Sequence, residues 1–323
     1  MALSEFSLIE RYFAANTAQR ADVVLGVGDD CAVVEVPAGR RLALTMDTLV
    51  EGVHFLPDVD PSALGHKALA VNLSDLAAMG AEPVWATLSL TLPRADEGWL
   101  AGFSRGFSDL ARRFGVQLVG GDTTRGPLSI TVAAHGLLEA TGELRRSGAG
   151  PGDLIYVTGS LGDAGLALLA RQGLYVDADG LGGLFARLER PEPRVAEGLA
   201  LRGRASAAID VSDGLAADLG HLCRASAVGA TIQVDRLPCS RPVRTYVEET
   251  GDWSLPLAAG DDYELCFTVP TALQGEVEAL AGSVPGGLTW IGMVERQPGV
   301  RCCYPDGQTD EAPTGFDHFA LHE

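Results

Sequence analysis

Lysine is almost missing from this 323-residue chain: Lys67 is the only one, so nearly all of its 24 Lys and Arg residues are arginine. That excludes a P-loop, because "GHKALA" is not the glycine-rich GxxxxGK[ST] string, and no G-x-G-x-x-G joins a strand to a helix as a Rossmann site needs. Arginine suits planar, bidentate contacts to phosphate or carboxylate, although G+C-rich coding produces the same bias. Cysteine is sparse and unpatterned. Cys31, Cys223, Cys239, Cys266, Cys302 and Cys303 show no CxxC spacing, which points to reduced thiols and away from a disulfide framework or zinc site. No apolar run approaches the roughly 18 to 20 residues that cross a bilayer. The start, "MALSEFSLIERYF", carries acids where a signal peptide carries bases, so a cytoplasmic protein without membrane contact is expected. The histidines form no HExxH pair, and hydrolase chemistry is disfavoured.

Acid is what the chain has in excess. Its formal charge of −19 argues against nucleic-acid partners, and 46% hydrophobic residues suffice for the cores of two domains. Helices and strands are intermixed. "LSEFSLIERYF" reads as an amphipathic helix, "RRLALTMDTLV" as a buried strand, and about Pro61 to Met79 as a helix closed by Gly80. The strand "VWATLSLTL" precedes a helix patterned by Trp99, Phe103, Phe107, Leu110 and Phe114, followed by the strands "VQLVGGD" and "LSITVAAHGLL". The Gly-rich break Arg145 to Asp153 divides residues 1–145 from 146–323. Beyond it, "DLIYVTG", "YELCFTV" and "LTWIGMVE" read as strands, and "AAIDVSDGLAADLGHLC" as a strand turning into a helix with Ser212 or Asp213 near its N-cap.

The acids recur beside glycines and at the ends of apolar strands: Asp29 and Asp30, Asp47, Asp75, Asp122, Asp210 and Asp213, Asp261 and Asp262. A carboxylate there is costly to desolvate unless a cation or hydrogen-bond donors accompany it. Neighbouring arginines, Arg125 and Arg146, are too few, and "GVGDDCA" lacks the calcium-loop pattern. Several magnesium ions shared with a polyphosphate fit the dispersion, since Mg²⁺ takes one or two carboxylates and fills the rest of its shell with water and phosphate. The glycines of "GGDTTRG" and "VSDG" would let backbone N–H groups approach phosphate, with the helix start after Ser212 as an anion site.

In order along almost the whole chain, "GVGDDCAVV", "LTMDTLVEGVHF", "NLSDLAAMGAEP", "LVGGDTTRG", "RSGAGPGDLIYVTGSLGDA", "IDVSDGLAADL", "AGDDYELCF" and "GFDHF" resemble the thiamine-monophosphate kinase family. Its superfamily also holds aminoimidazole ribonucleotide synthetase, selenophosphate synthetase and the hydrogenase maturation factor HypE. The resemblance implies a mixed α/β, two-domain fold, with an N-terminal ATP/Mg-binding and dimerisation domain whose strands form a barrel shared across a homodimer. It implies ATP and thiamine monophosphate as substrates and thiamine diphosphate as product. Asp30, Thr45, Met46, Asp47, Asp75, Asp122, Asp210 and Asp213 then stand as Mg²⁺ ligands. Gly121, Asp122, Arg146 and Ser212 stand as ATP contacts, and His54, Glu264 and Phe319 as substrate contacts, with Phe316 an alternative to Phe319. No covalent nucleophile is implied, and Asp261 joins Glu264 as an acid suited to the cationic thiazolium. Two readings compete: another ATP-using enzyme of the superfamily, such as an aminoimidazole ribonucleotide synthetase, and a non-catalytic metal or nucleotide sensor.

Overall fold

The computed structural model describes residues 5–14, 18–175 and 181–316. The chain divides into two compact units, Met1–Leu76 with Ala81–Thr141, and Ala77–Gly80 with Gly142–Glu323.

The first unit opens with helix α1 (Glu5–Tyr12) and a short antiparallel ribbon of β1 (Val23–Leu25) and β2 (Val33–Val34). A four-stranded sheet follows, built from β3 (Arg40–Val50), β4 (Glu82–Leu92), β5 (Gln117–Arg125) and β6 (Ser129–Glu139) in the order β3-β6-β4-β5. Helix α2 (Pro61–Ala78) lies between β3 and β4 in sequence, and α3 (Glu97–Arg113) between β4 and β5. The β4–β5 pair is parallel, as a helical crossover requires, and the other pairs are antiparallel. Asp96 caps α3 through the Trp99 N–H at 3.0 Å, and Phe103, Phe107 and Leu110 are buried along one face. Glycines let α2 meet α3 backbone to backbone. A Cβ on Gly65 would strike the Phe103 carbonyl, and one on Gly106 the Ser62 carbonyl. The roughly 1 kcal/mol helix cost of each glycine is thus spent on close approach.

Strand β3 departs from the expected buried strand. Leu44 is 67% exposed and Met46 66%, with Leu42 and Val50 also exposed. Its register explains this: β3 is an edge, paired only with β6 among the described residues, so hydrophobic composition here does not mean burial within one chain.

The second unit carries β7 (Leu154–Thr158), α4 (Asp163–Arg171), α5 (Leu181–Glu189), α6 (Val195–Leu201), β8 (Ala207–Val211), α7 (Leu215–Ser226) and β9 (Gly229–Gln233). It continues through α8 (Arg241–Thr250), α9 (Ser254–Ala258), β10 (Glu264–Val269), α10 (Gln274–Leu280), β11 (Leu288–Glu295), β12 (Gly299–Cys303) and β13 (Thr309–Glu311). Its strands form one mixed sheet, β13-β12-β9-β11-β7-β10-β8, with β12 and β9 parallel. Ile155, Val157, Ile209, Val211, Ile232 and Ile291 from the sheet pack with Leu215, Leu219 and Leu222 of α7. The N-cap of α7 is Gly214 (φ 113°), directly after Asp213, and no side chain caps it. Among the described residues no helix is long and apolar enough to cross a membrane.

Candidate active site

In the first unit the ribbon and the β4–β5 pair enclose a cleft of about 630 Å³. Asp29, Asp30 and Cys31 line it from the turn between β1 and β2, and Gly120, Gly121 and Asp122 from β5; Ile9, Phe13 and Leu118 add apolar wall. The turn is anchored from outside the cleft. Asp22 accepts from the Arg20 guanidinium at 2.8 Å and the Trp85 indole at 3.1 Å, while Val23 and Val34 pack on Val84 and Trp85. Asp29 Oδ1 accepts the Asp30 N–H at 2.8 Å and so shapes the turn, leaving the Asp30 carboxylate at its exposed rim. Gly121 (φ 154°) lies opposite Leu88, whose carbonyl a Cβ would strike, so only glycine fits. The structure thus brings Asp30, Gly121 and Asp122 to one cleft.

Thr45, Asp47 and Asp75 form a second group, which does not line that cleft. The Thr45 hydroxyl donates to Asp75 Oδ2 across from α2, and the Asp47 N–H donates to Asn72 Oδ1 at 3.2 Å. Burial, and then the charge of Asp75, push the Asp47 carboxyl up to about 7. Two facing carboxylates and a hydroxyl, all oxygen, with one carboxyl driven towards its protonated form by burial and by the other, fit a hard divalent cation such as Mg²⁺. Among the described residues no three His, Cys, Asp or Glu side chains gather as one metal cluster. Met46 keeps its side chain exposed on β3, where it pairs with Ala133 of β6. His54 sits in the turn after β3, its Nδ1 accepting the Val50 N–H at 3.0 Å. Lys67, 3% exposed in α2, reaches the His54 carbonyl at 3.5 Å and takes no place in the cleft.

In the second unit three segments meet at the turn from β8 to α7. The Asp261 N–H donates to the Ser212 carbonyl at 2.8 Å, Tyr263 N–H to the Val211 carbonyl at 2.8 Å, and Phe316 N–H to the Asp213 carbonyl at 3.0 Å. Asp261 (φ 61°) and Tyr263 (φ 51°) are left-handed residues without being glycine, a strained arrangement that clusters at functional sites. Between them Asp262 is 4% exposed and accepts the Gly162 N–H at 3.0 Å; burial raises its carboxyl well above the usual range. Arg146 is exposed, and its carbonyl accepts from the Ser226 hydroxyl at 2.9 Å. Asp210 lies on β8, 5% exposed.

Two expectations change here. The Ser212 and Asp213 N–H groups do not form an anion site, because both donate to Asp218 Oδ2, at 2.9 and 3.0 Å. Glu264 is not placed to touch a substrate. It is fully buried, its oxygens held by Arg194 at 2.5 and 2.6 Å, Arg187 at 2.5 Å and the Thr158 hydroxyl at 2.6 Å, beneath Gly159, where a Cβ would strike it. Asp261, three residues earlier and half-buried, is the most exposed acid of this motif. Phe319 lies outside the described residues. One string of the form G-x-S-x-G does occur, Gly102 to Gly106, but Ser104 is buried inside α3, away from any strand-to-helix elbow. Reading motifs alone missed Asp218, Arg187 and Arg194. Asp218 was within reach, five residues after Asp213; the arginines stand 70 and 77 residues from Glu264 and give no local signal.

Residues 28–138 match the AIR synthase related protein N-terminal domain and residues 150–302 its C-terminal domain. The chain is 50% identical to the thiamine-monophosphate kinase of Escherichia coli (strain K12), over 99% of both chains, and 43% identical to that of Haemophilus influenzae, again over 99% of both. It belongs to the thiamine-monophosphate kinase family. A crystal structure of the thiamine-monophosphate kinase from Stenotrophomonas maltophilia superposes with a TM-score of 0.86 at 46% identity, covering 95% of this chain and 98% of that one. AaThiL complexed with AMPPCP and TMP superposes at 0.76 with 36% identity, covering 91% and 92%. Escherichia coli HypE, 23% identical with a TM-score of 0.79, shares the fold. For this kinase-family chain the mixed α/β, two-domain architecture is therefore established, as is its place among thiamine-phosphate kinases.

Proposed function

We propose that the chain transfers the γ-phosphoryl group of ATP in line to thiamine monophosphate, giving thiamine diphosphate and ADP. Full-length identity of 50% to a thiamine-monophosphate kinase carries the reading, and the oxygen-rich groups around Asp30, Asp47, Asp75 and Asp122 support it. Both substrates are anionic. Two unit charges about 4 Å apart repel by roughly 4 kcal/mol at an effective dielectric of 20, so positive charge has to stand between them. Asp30, Asp47, Asp75, Asp122, Asp210 and Asp213, with Thr45 and the Met46 backbone oxygen, are the residues that would hold Mg²⁺, which would supply that neutralisation.

The side chains supply position. The Gly121 backbone and Asp122 seat the nucleotide at the cleft, with Ser212 and Arg146 as further ATP contacts and Arg146 offering a planar cation to phosphate. His54 and Asp261 contact thiamine monophosphate, the carboxylate of Asp261 facing its thiazolium cation. No enzymic nucleophile is needed, because a phosphate monoester with a second pKa of about 6 is already mostly dianionic at pH 7. The exposed apolar side chains of β3 support a homodimer built on that strand. ADP release by the purified protein tests the reaction, comparing thiamine monophosphate, thiamine and formylglycinamidine ribonucleotide. Release that requires thiamine monophosphate and yields thiamine diphosphate is expected; release with the ribonucleotide alone would move the reaction to ring closure.

A further inference from the structure

At the β8–α7 turn every backbone polar group of two residues is used inside the protein. The Ser212 carbonyl takes the Asp261 N–H, and the Asp213 carbonyl takes the Phe316 N–H. Both amide N–H groups go to one oxygen of Asp218, which is 3% exposed on the first turn of α7. Neither amide of Ser212 and Asp213 is left to donate to a ligand, so the groups these residues can turn to one are first the hydroxyl and the carboxylate. The helix itself is fixed, since Leu215, Leu219 and Leu222 are fully buried in the core. The oxygen of Asp218 thus stands at a fixed point, and the two amides are drawn to it.

From this geometry we infer that Asp218 is a positioning residue: it occupies the amides that would otherwise attract phosphate and so turns the Ser212 hydroxyl and the Asp213 carboxylate towards nucleotide and cation. The inference rests on the reading of Ser212 and Asp213 as nucleotide and metal contacts. Three facts support a task beyond stability. The turn needs Gly214 (φ 113°), whose Cβ would press on Ala258, so its path is already constrained by backbone packing. Its other face is pinned by Asp261 and Tyr263 in left-handed conformations. Two donors converge on a single oxygen, an arrangement that sets direction as well as attraction.

Asparagine keeps an oxygen in place of the one that accepts both amides, whereas alanine removes it. Asp218→Ala should raise the Mg²⁺ concentration for half-maximal rate, and the KM for ATP, about tenfold, with the KM for thiamine monophosphate within about threefold of wild type. Asp218→Asn should restore both to within about threefold. A merely structural residue would lower the yield of folded enzyme and kcat without moving either constant. Wild-type Mg²⁺ and ATP constants in Asp218→Ala would overturn the inference. If that variant does not fold, Asp218→Ser, whose hydroxyl is too short to span both amides, takes its place under the same criteria. Calorimetric binding of Mg-ATP to each variant reads the same shift without turnover. An inactive wild-type protein would therefore count against the proposed reaction, and unshifted binding in the variant against the role of Asp218.

Discussion

Asp47 titrates near 7 because its carboxyl is half-buried and faces Asp75. With the folded value raised above the ordinary 3.8, the folded state binds the extra proton between about pH 4 and about pH 7. This group's contribution to stability is therefore fully present below that window and lost as pH rises through it, while a cation competes with the proton for the same oxygens. If the Asp47–Asp75 pair holds Mg²⁺ as proposed, thermal stabilisation by Mg²⁺ should be larger at pH 8 than at pH 5.5; equal shifts in Tm at the two values would remove the pair from the proposed metal site. Glu264 carries the opposite kind of importance. Glu264→Gln takes from Arg194 and Arg187 their nearest buried counter-charge, leaving the longer contacts to Glu197 at 3.9 Å and Asp163 at 3.7 Å, and should cost about 3 kcal/mol in denaturant unfolding. Asp261→Asn should raise the KM for thiamine monophosphate more than that for ATP; equal effects on the two would end its proposed role. These roles separate only in three dimensions. In "GDDYEL" the acids Asp261, Asp262 and Glu264 look alike, and what differs is exposure and the arginines that reach Glu264 from α5 and the loop before α6.

Elements were more legible than their surroundings. The period of Trp99, Phe103, Phe107 and Leu110 defined α3, and its buried face follows that pattern. The apolar run in β3 defined a strand equally well, yet which strands pair, and so which one ends as an edge, depends on long-range order that no local pattern carries. The exposed apolar side chains of that edge are the basis of the proposed dimer. Leu44→Lys should shift the protein to monomers in light scattering at micromolar concentration, and an unchanged mass would place the interface elsewhere. On β5, Gly121→Ala should lose most ATP affinity, because the added methyl meets the Leu88 carbonyl and the backbone cannot keep φ 154° without strain. A normal KM for ATP in that variant would take the Gly121 backbone out of the nucleotide contacts.

At the scale of the molecule, a charge of −19 surrounds a reaction between two anions. The Gly-rich break in the sequence pointed to two domains, and the structure partitions near it, between Thr141 and Gly142, while also placing Ala77–Gly80, the end of α2 and its cap, with the second unit. A short internal segment of this kind leaves no compositional trace, since Ala-Ala-Met-Gly closes a helix in any setting. Lys67 gives the whole chain one more property. Because the sole lysine side chain is buried in α2 and every other basic side chain apart from histidine is a guanidinium, an acylating reagent meets no exposed ε-amine anywhere on the folded surface. Chemistry that caps exposed lysine side chains would find none on this protein until it unfolds.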